Sequence, residues 1–138
     1  MKVLFDRNYP KYLVDALQLI HKLDTAKSYS VRYWEKQDES AANNPIVFIL
    51  DRSKKGLDIT TLKHYEAGYR VFAFKLPGKQ KIDLFNFSLT VLNLWPKVLN
   101  AVKVEETAFV YTYRYGGRKL RKAISNEPIT AKLDSINN

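Results

Sequence analysis

Cysteine is absent from all 138 residues, which excludes disulfide staples and thiolate zinc sites. A cytoplasmic protein is the simplest expectation for such a chain. No apolar run approaches the roughly 20 residues that a membrane span needs. Met1-Lys2 leads straight into a short strand-like run, so no signal peptide is expected. Equally missing are a Ser-His-Asp set, a glycine-rich phosphate loop and histidines at metal-binding spacing. The two histidines, His21 and His64, fall on separate predicted helices and read as structural. The segment "LPGK" around Gly78 is too short for a nucleotide loop. Internal repeats and low-complexity tracts are absent too.

What is present is apolar and basic. Hydrophobic residues make up 46% of the chain, with nine tyrosines, seven phenylalanines and two tryptophans, enough for one globular core at this length. Lysine and arginine number 23 against 14 acidic residues, a net charge of +9. That excess favours a polyanionic partner, because each phosphate neutralised releases condensed counterions. An anionic membrane surface would answer to the same charge, but no strongly amphipathic basic helix stands out. A basic protein that is merely soluble is the plain alternative.

Periodicity divides the chain into alternating strands and helices. Residues 2–5 read as a buried strand, and Leu13, Ala16, Leu17 and Ile20 recur on one face of a helix opened at Pro10. Residues 30–34 alternate as a second strand, and "EKQDESAANNP" is a polar connection with room for about one helical turn. "PIVFIL" is apolar throughout and predicts a central strand covered on both faces. A short helix should run from Asp58, a good N-cap, to a stop at Gly68. "RVFAFKL" predicts the next strand and residues 83–103 a long helix, with a kink or break near Trp95 because Pro96 sits inside it. "TAFVYTYRY" predicts the final strand, followed by a Gly116-Gly117 turn into "RKLRK". The expected fold is α/β, a three-layer sandwich with a mostly parallel sheet flanked by helices. One domain should span residues 1–124, with a polar, flexible tail over 125–138.

Two strands of this scheme end on an aspartate, Asp6 and Asp51. In open parallel sheets ligands gather at the carboxyl ends of the strands. Clustered carboxylates repel unless a cation separates them, so Asp6 and Asp51 are candidate ligands of a hard cation such as Mg²⁺ or Mn²⁺. Asp38 or Glu39 would be a third ligand, and Asp58 a weaker candidate already explained as a cap. Arg52, Lys54 and Lys55 follow Asp51, and Arg114, Arg118, Lys119, Arg121 and Lys122 cluster later. As phosphate contacts they would position RNA without reading its sequence. Tyr111, Tyr113 and Tyr115 share one strand face, which is either a base-stacking platform or a half-buried sheet face.

Several segments together resemble the PIN-like superfamily, and within it small bacterial proteins allied to VapC-type toxins. They are "VLFDRNYPKYLVDAL", "VFILDRS", "GYRVFAFKLPG", "LWPKVLNAV" and "YGGRKLRK", spread over roughly residues 2–122. The resemblance implies a PIN-like fold and metal-dependent ribonuclease activity, with a role as the toxin of a toxin–antitoxin pair. It also implies Mg²⁺ or Mn²⁺ held by Asp6, Asp51, Asp38 and Glu39, with Asn8 supporting the first acid in the catalytic set. RNA, an antitoxin protein and a second copy of the chain are the partners expected on this reading. The chain departs from the pattern in one place: the acidic connection between strands two and three is shorter than a full helix. The alternative is therefore a catalytically weakened relative that binds RNA or a partner protein.

Overall fold

Three of the strand-like runs are apolar at nearly every position, and the computed structural model shows why. It describes residues 2–23, 30–35, 45–76 and 82–125. In chain order the elements are β1 (Lys2–Phe5), α1 (Lys11–Leu23), β2 (Ser30–Tyr33), β3 (Ile46–Asp51) and α2 (Ile59–Glu66), then β4 (Arg70–Lys75), α3 (Leu84–Val104), β5 (Phe109–Arg114) and β6 (Arg121–Ser125). The protein is α/β, with one six-stranded sheet in the order β2-β1-β3-β4-β5-β6. The first five strands run parallel and β6 closes the edge antiparallel to β5. β3 and β4 lie centrally, buried on both faces, so a strict polar alternation would place charge in the core.

Alternate residues of β3, β4 and β5 feed two separate cores. Phe5, Phe48, Phe72, Phe74 and Phe109 join residues of α1 and α3 on one face, while Val47, Ile49, Val71, Ala73 and Val110 gather with Tyr65 of α2 on the other. The steps β3-α2-β4 and β4-α3-β5 cross the sheet in the same direction, yet their helices lie on opposite faces. The β4-α3-β5 unit therefore has the opposite hand to β3-α2-β4. This places α3 beside α1 over the aromatic face. Phe5, Phe48 and Phe72 stack there in sequence, with centroids 4.5 and 4.9 Å apart, and Trp95 of α3 stacks on Phe48 at 5.5 Å.

Helix ends follow local chemistry. Pro10 stands just before α1, where no N–H is needed, and its carbonyl accepts from Leu13 and Val14. Asp58 caps α2 by accepting from the Thr61 amide at 2.8 Å, as its sequence position predicts. Asp83 caps α3 through the Phe85 amide at 3.0 Å. At the other end of α3 the buried Arg70 guanidinium donates to the Val102 and Glu105 carbonyls, a cation placed where the helix dipole is negative.

Two expectations are corrected. No break occurs near Trp95: α3 runs from Leu84 to Val104 with Pro96 inside. Pro96 lies on the exposed side of the helix, as does Leu92 one turn before it. The sheet also does not finish at the tyrosine strand: Arg121–Ser125 pairs back on it as β6. The remainder of the expected tail, residues 126–138, lies outside the described residues.

Phe48 sits at the centre of the aromatic stack and is 1% exposed. Phe48→Ala should cost about 3–5 kcal/mol of stability, measured by urea unfolding. A loss below about 1 kcal/mol would contradict the central place given to this ring.

Candidate nucleic-acid interface

The strand order reverses between β1 and β3; Asp6 follows β1 and Asp51 is the last residue of β3, both at the carboxyl-terminal edge of the sheet. The Asp6 amide still bonds the Phe48 carbonyl at 2.9 Å, so Asp6 continues the β1–β3 ladder. Its carboxylate Oδ1 accepts the Asn8 amide at 2.8 Å, a local turn in which the Asn8 backbone, not its side chain, is the partner. Asp6 also lines a cavity of about 340 Å³ with Arg7, Trp34, Val47, Ile49 and His64.

Asp51 is different in kind. It is 0% exposed, and its carboxylate accepts from the Ser53 amide at 3.0 Å, the Asp58 amide at 2.9 Å and the Thr61 hydroxyl at 2.8 Å. The Lys75 ammonium, 2.8 Å away, and the Ser53 hydroxyl complete the set. Burial alone would raise the Asp51 carboxyl. The Lys75 ammonium, the Ser53 hydroxyl, the Asp58 amide and the Thr61 hydroxyl outweigh it and hold the group down at about 2. A cation at Asp51 would have to displace an ammonium already bonded there.

Among the described residues no group of three or more histidine or acidic side chains could hold a metal ion. Of Asp6 and Asp51, only Asp6 keeps a carboxylate oxygen without a donor. Asp38 and Glu39, the other expected ligands, lie outside the described residues. Asp58 is occupied as a cap. His21 accepts from the Trp95 indole at 3.2 Å and joins α1 to α3. His64 holds its own helix through Nδ1, which lies 2.7 Å from the Thr60 carbonyl.

The basic residues do converge. Lys54 and Lys55 from the loop after β3 line one cleft of about 860 Å³ together with Arg114, Arg118, Lys119 and Arg121 from the β5–β6 hairpin. Residues far apart in sequence thus form the two walls of one cationic groove, with no acidic side chain among its lining residues. Arg52 is exposed but does not line it, and Lys122 instead pairs with Glu105.

Each wall is anchored. The hairpin turns at Gly116, with φ of +70°, and a Cβ at Gly117 would stand 2.9 Å from the Arg114 carbonyl oxygen. The Gly116 amide donates to Thr90 Oγ1 of α3 at 3.0 Å, and Lys97 of α3 donates to the Arg118 carbonyl. The opposite wall is fixed by Asp51 and Lys75. Sequence reading missed Lys75, Thr61 and Thr90. The usable signal for Lys75 was a lysine ending an otherwise apolar strand beside a strand that ends in aspartate.

The tyrosine row packs into the aromatic core, and of the three only Tyr113 also borders the groove. Tyr113 is buried and its hydroxyl lies 2.6 Å from that of Tyr9, which donates to the Ile49 carbonyl; Tyr111 and Tyr115 pack half-buried against the same core. No helix among the described residues is long and apolar enough to cross a membrane. No family model, curated protein or solved structure matches the chain.

The depressed Asp51 carboxyl sets a pH dependence. Its folded value of about 2 lies below its ordinary 3.8, so its stabilisation is complete above that ordinary value and is lost as pH falls towards 2. Asp51→Asn should cost roughly 3–5 kcal/mol at neutral pH. Denaturant unfolding should show the gap to wild type narrowing between pH 5 and pH 2; a constant gap would contradict an ionised, paired Asp51.

Proposed function

We propose that the protein binds the phosphate backbone of RNA in the cationic groove between the loop after β3 and the β5–β6 hairpin. The observation that carries this reading is the convergence of Lys54, Lys55, Arg114, Arg118, Lys119 and Arg121 on one cleft without an acidic neighbour. Like charges held this close repel, and a polyanion relieves the repulsion while releasing its own counterions. The groove contacts phosphates rather than base edges, so binding is weakly sequence-dependent. The setting is a PIN-like three-layer sandwich, with α1 and α3 over one face of the sheet and α2 over the other, in a cytoplasmic protein.

A second reading keeps the groove and adds hydrolysis: a metal-dependent ribonuclease, the toxin partner of an antitoxin protein. Asp6 favours it, because it stands at the carboxyl end of β1, at the switch in strand order, and retains one oxygen without a donor. Asp38 and Glu39 would have to supply the remaining ligands for Mg²⁺ or Mn²⁺. The filled carboxylate of Asp51 argues for the binding reading over the hydrolytic one.

RNA affinity should fall steeply with salt, measured by fluorescence anisotropy over a potassium chloride series. Removing the charges of Arg118, Lys119 and Arg121 together should flatten the log–log slope by about 2. An unchanged slope would move the RNA footprint elsewhere. If the ribonuclease reading holds, cleavage of an RNA panel will require Mg²⁺ or Mn²⁺ and will vanish in Asp6→Asn while binding persists. Intact RNA with wild-type protein and either metal would leave the binding function alone.

A further inference from the structure

Lys75 borders the groove yet has no proton to give it. Its ammonium lies 2.8 Å from Asp51 Oδ1, 2.7 Å from Ser53 Oγ, 3.0 Å from the Ser53 carbonyl and 2.7 Å from the Gly56 carbonyl. An ammonium has three donors, and these four acceptors exhaust them. Asp51, Lys75 and Arg114 are also cross-strand neighbours, in register at the ends of β3, β4 and β5. Lys75 and Arg114 are thus adjacent cations, with the Asp51 carboxylate on the other side of Lys75.

The same contacts define the loop. Asp51 takes the Ser53 and Asp58 amides, and Lys75 takes the Ser53 and Gly56 carbonyls. The backbone is thus held on both sides of Lys54 and Lys55, whose side chains are exposed and line the groove. Long lysine side chains on a free loop would lose entropy on meeting RNA; a fixed loop has lost its backbone share beforehand.

We infer that Asp51 and Lys75 are positioning residues for RNA binding: their buried ion pair holds the 51–58 loop so that Lys54 and Lys55 face the basic hairpin across the groove. This rests on the RNA-binding reading above. It makes a counter-intuitive claim about sign. Asp51→Asn removes a negative charge beside a polyanion site and frees an ammonium, so charge alone calls for tighter binding. Positioning calls for weaker binding.

The test is anisotropy of a fluorescent oligouridylate over a salt series, with wild type, Lys54→Met/Lys55→Met, Asp51→Asn and Lys75→Met. The double lysine variant sets the loop's share, a slope reduction of about 1.4 for two contacts on a single strand. Asp51→Asn and Lys75→Met should both weaken binding several-fold and reproduce most of that reduction, leaving the hairpin's share intact. Ser53→Ala, which removes one hydroxyl shared by both partners, should act in the same direction more mildly and serves if the charge variants fail to fold. Binding by Asp51→Asn or Ser53→Ala that is unchanged or tighter overturns the inference while the RNA reading stands. Wild type without salt-dependent binding overturns the RNA reading, and the inference with it.

Discussion

The carboxylate of Asp51 has no contact with solvent and gathers donors from its own loop, from α2 and from β4. A buried charge with any of these partners missing would be costly, and a fully satisfied one makes a rigid junction. Here it joins the end of β3, the start of α2 through Asp58 and Thr61, and the end of β4 through Lys75. Thr61 stands between two acids, 2.8 Å from Asp51 and 2.9 Å from Asp58, so one hydroxyl links the junction to the helix cap. The loop between these anchors carries the first two lysines of the groove.

The second wall depends on the other layer. Because α3 crosses on the aromatic face, Thr90 and Lys97 reach the β5–β6 turn from beneath the sheet edge. Thr90 is itself fixed by donating to the Asn86 carbonyl at 2.8 Å. The helix in turn is held by Trp95 on Phe48, by Phe87 stacked on Phe74 at 4.6 Å, and by Arg70 at its C-terminal carbonyls. Each wall of the groove is therefore tied to a different core. Pre-organisation of this kind lets exposed cations act without first ordering a loop.

Much of this was legible in the chain. Unbroken apolar runs marked β3 and β4, three- and four-residue spacing marked α1, and Asp58 and Gly68 marked the limits of α2. Pro96 did not break the helix; it lies on the exposed side of α3 while its neighbour Trp95 packs into the core. β6 was hidden because an exposed edge strand lacks an apolar face of its own; Arg121, Lys122 and Ala123 are all exposed. Asp6 and Asp51 looked equivalent as strand-end acids. Their difference lies in Lys75 and Thr61, which the fold brings to Asp51 alone. The basic segments were each visible, but their meeting in one groove follows from the register of β3, β4 and β5.

The central claim is that the loop after β3 and the β5–β6 hairpin form one phosphate-binding site. Backbone amide NMR during titration with a short oligoribonucleotide addresses it directly. Amides of residues 53–57 and 114–121 should shift together along a single saturable curve, and added salt should reverse both. Shifts confined to one wall, or arising on the outer face of α1 around Tyr12 and Leu19, would contradict it.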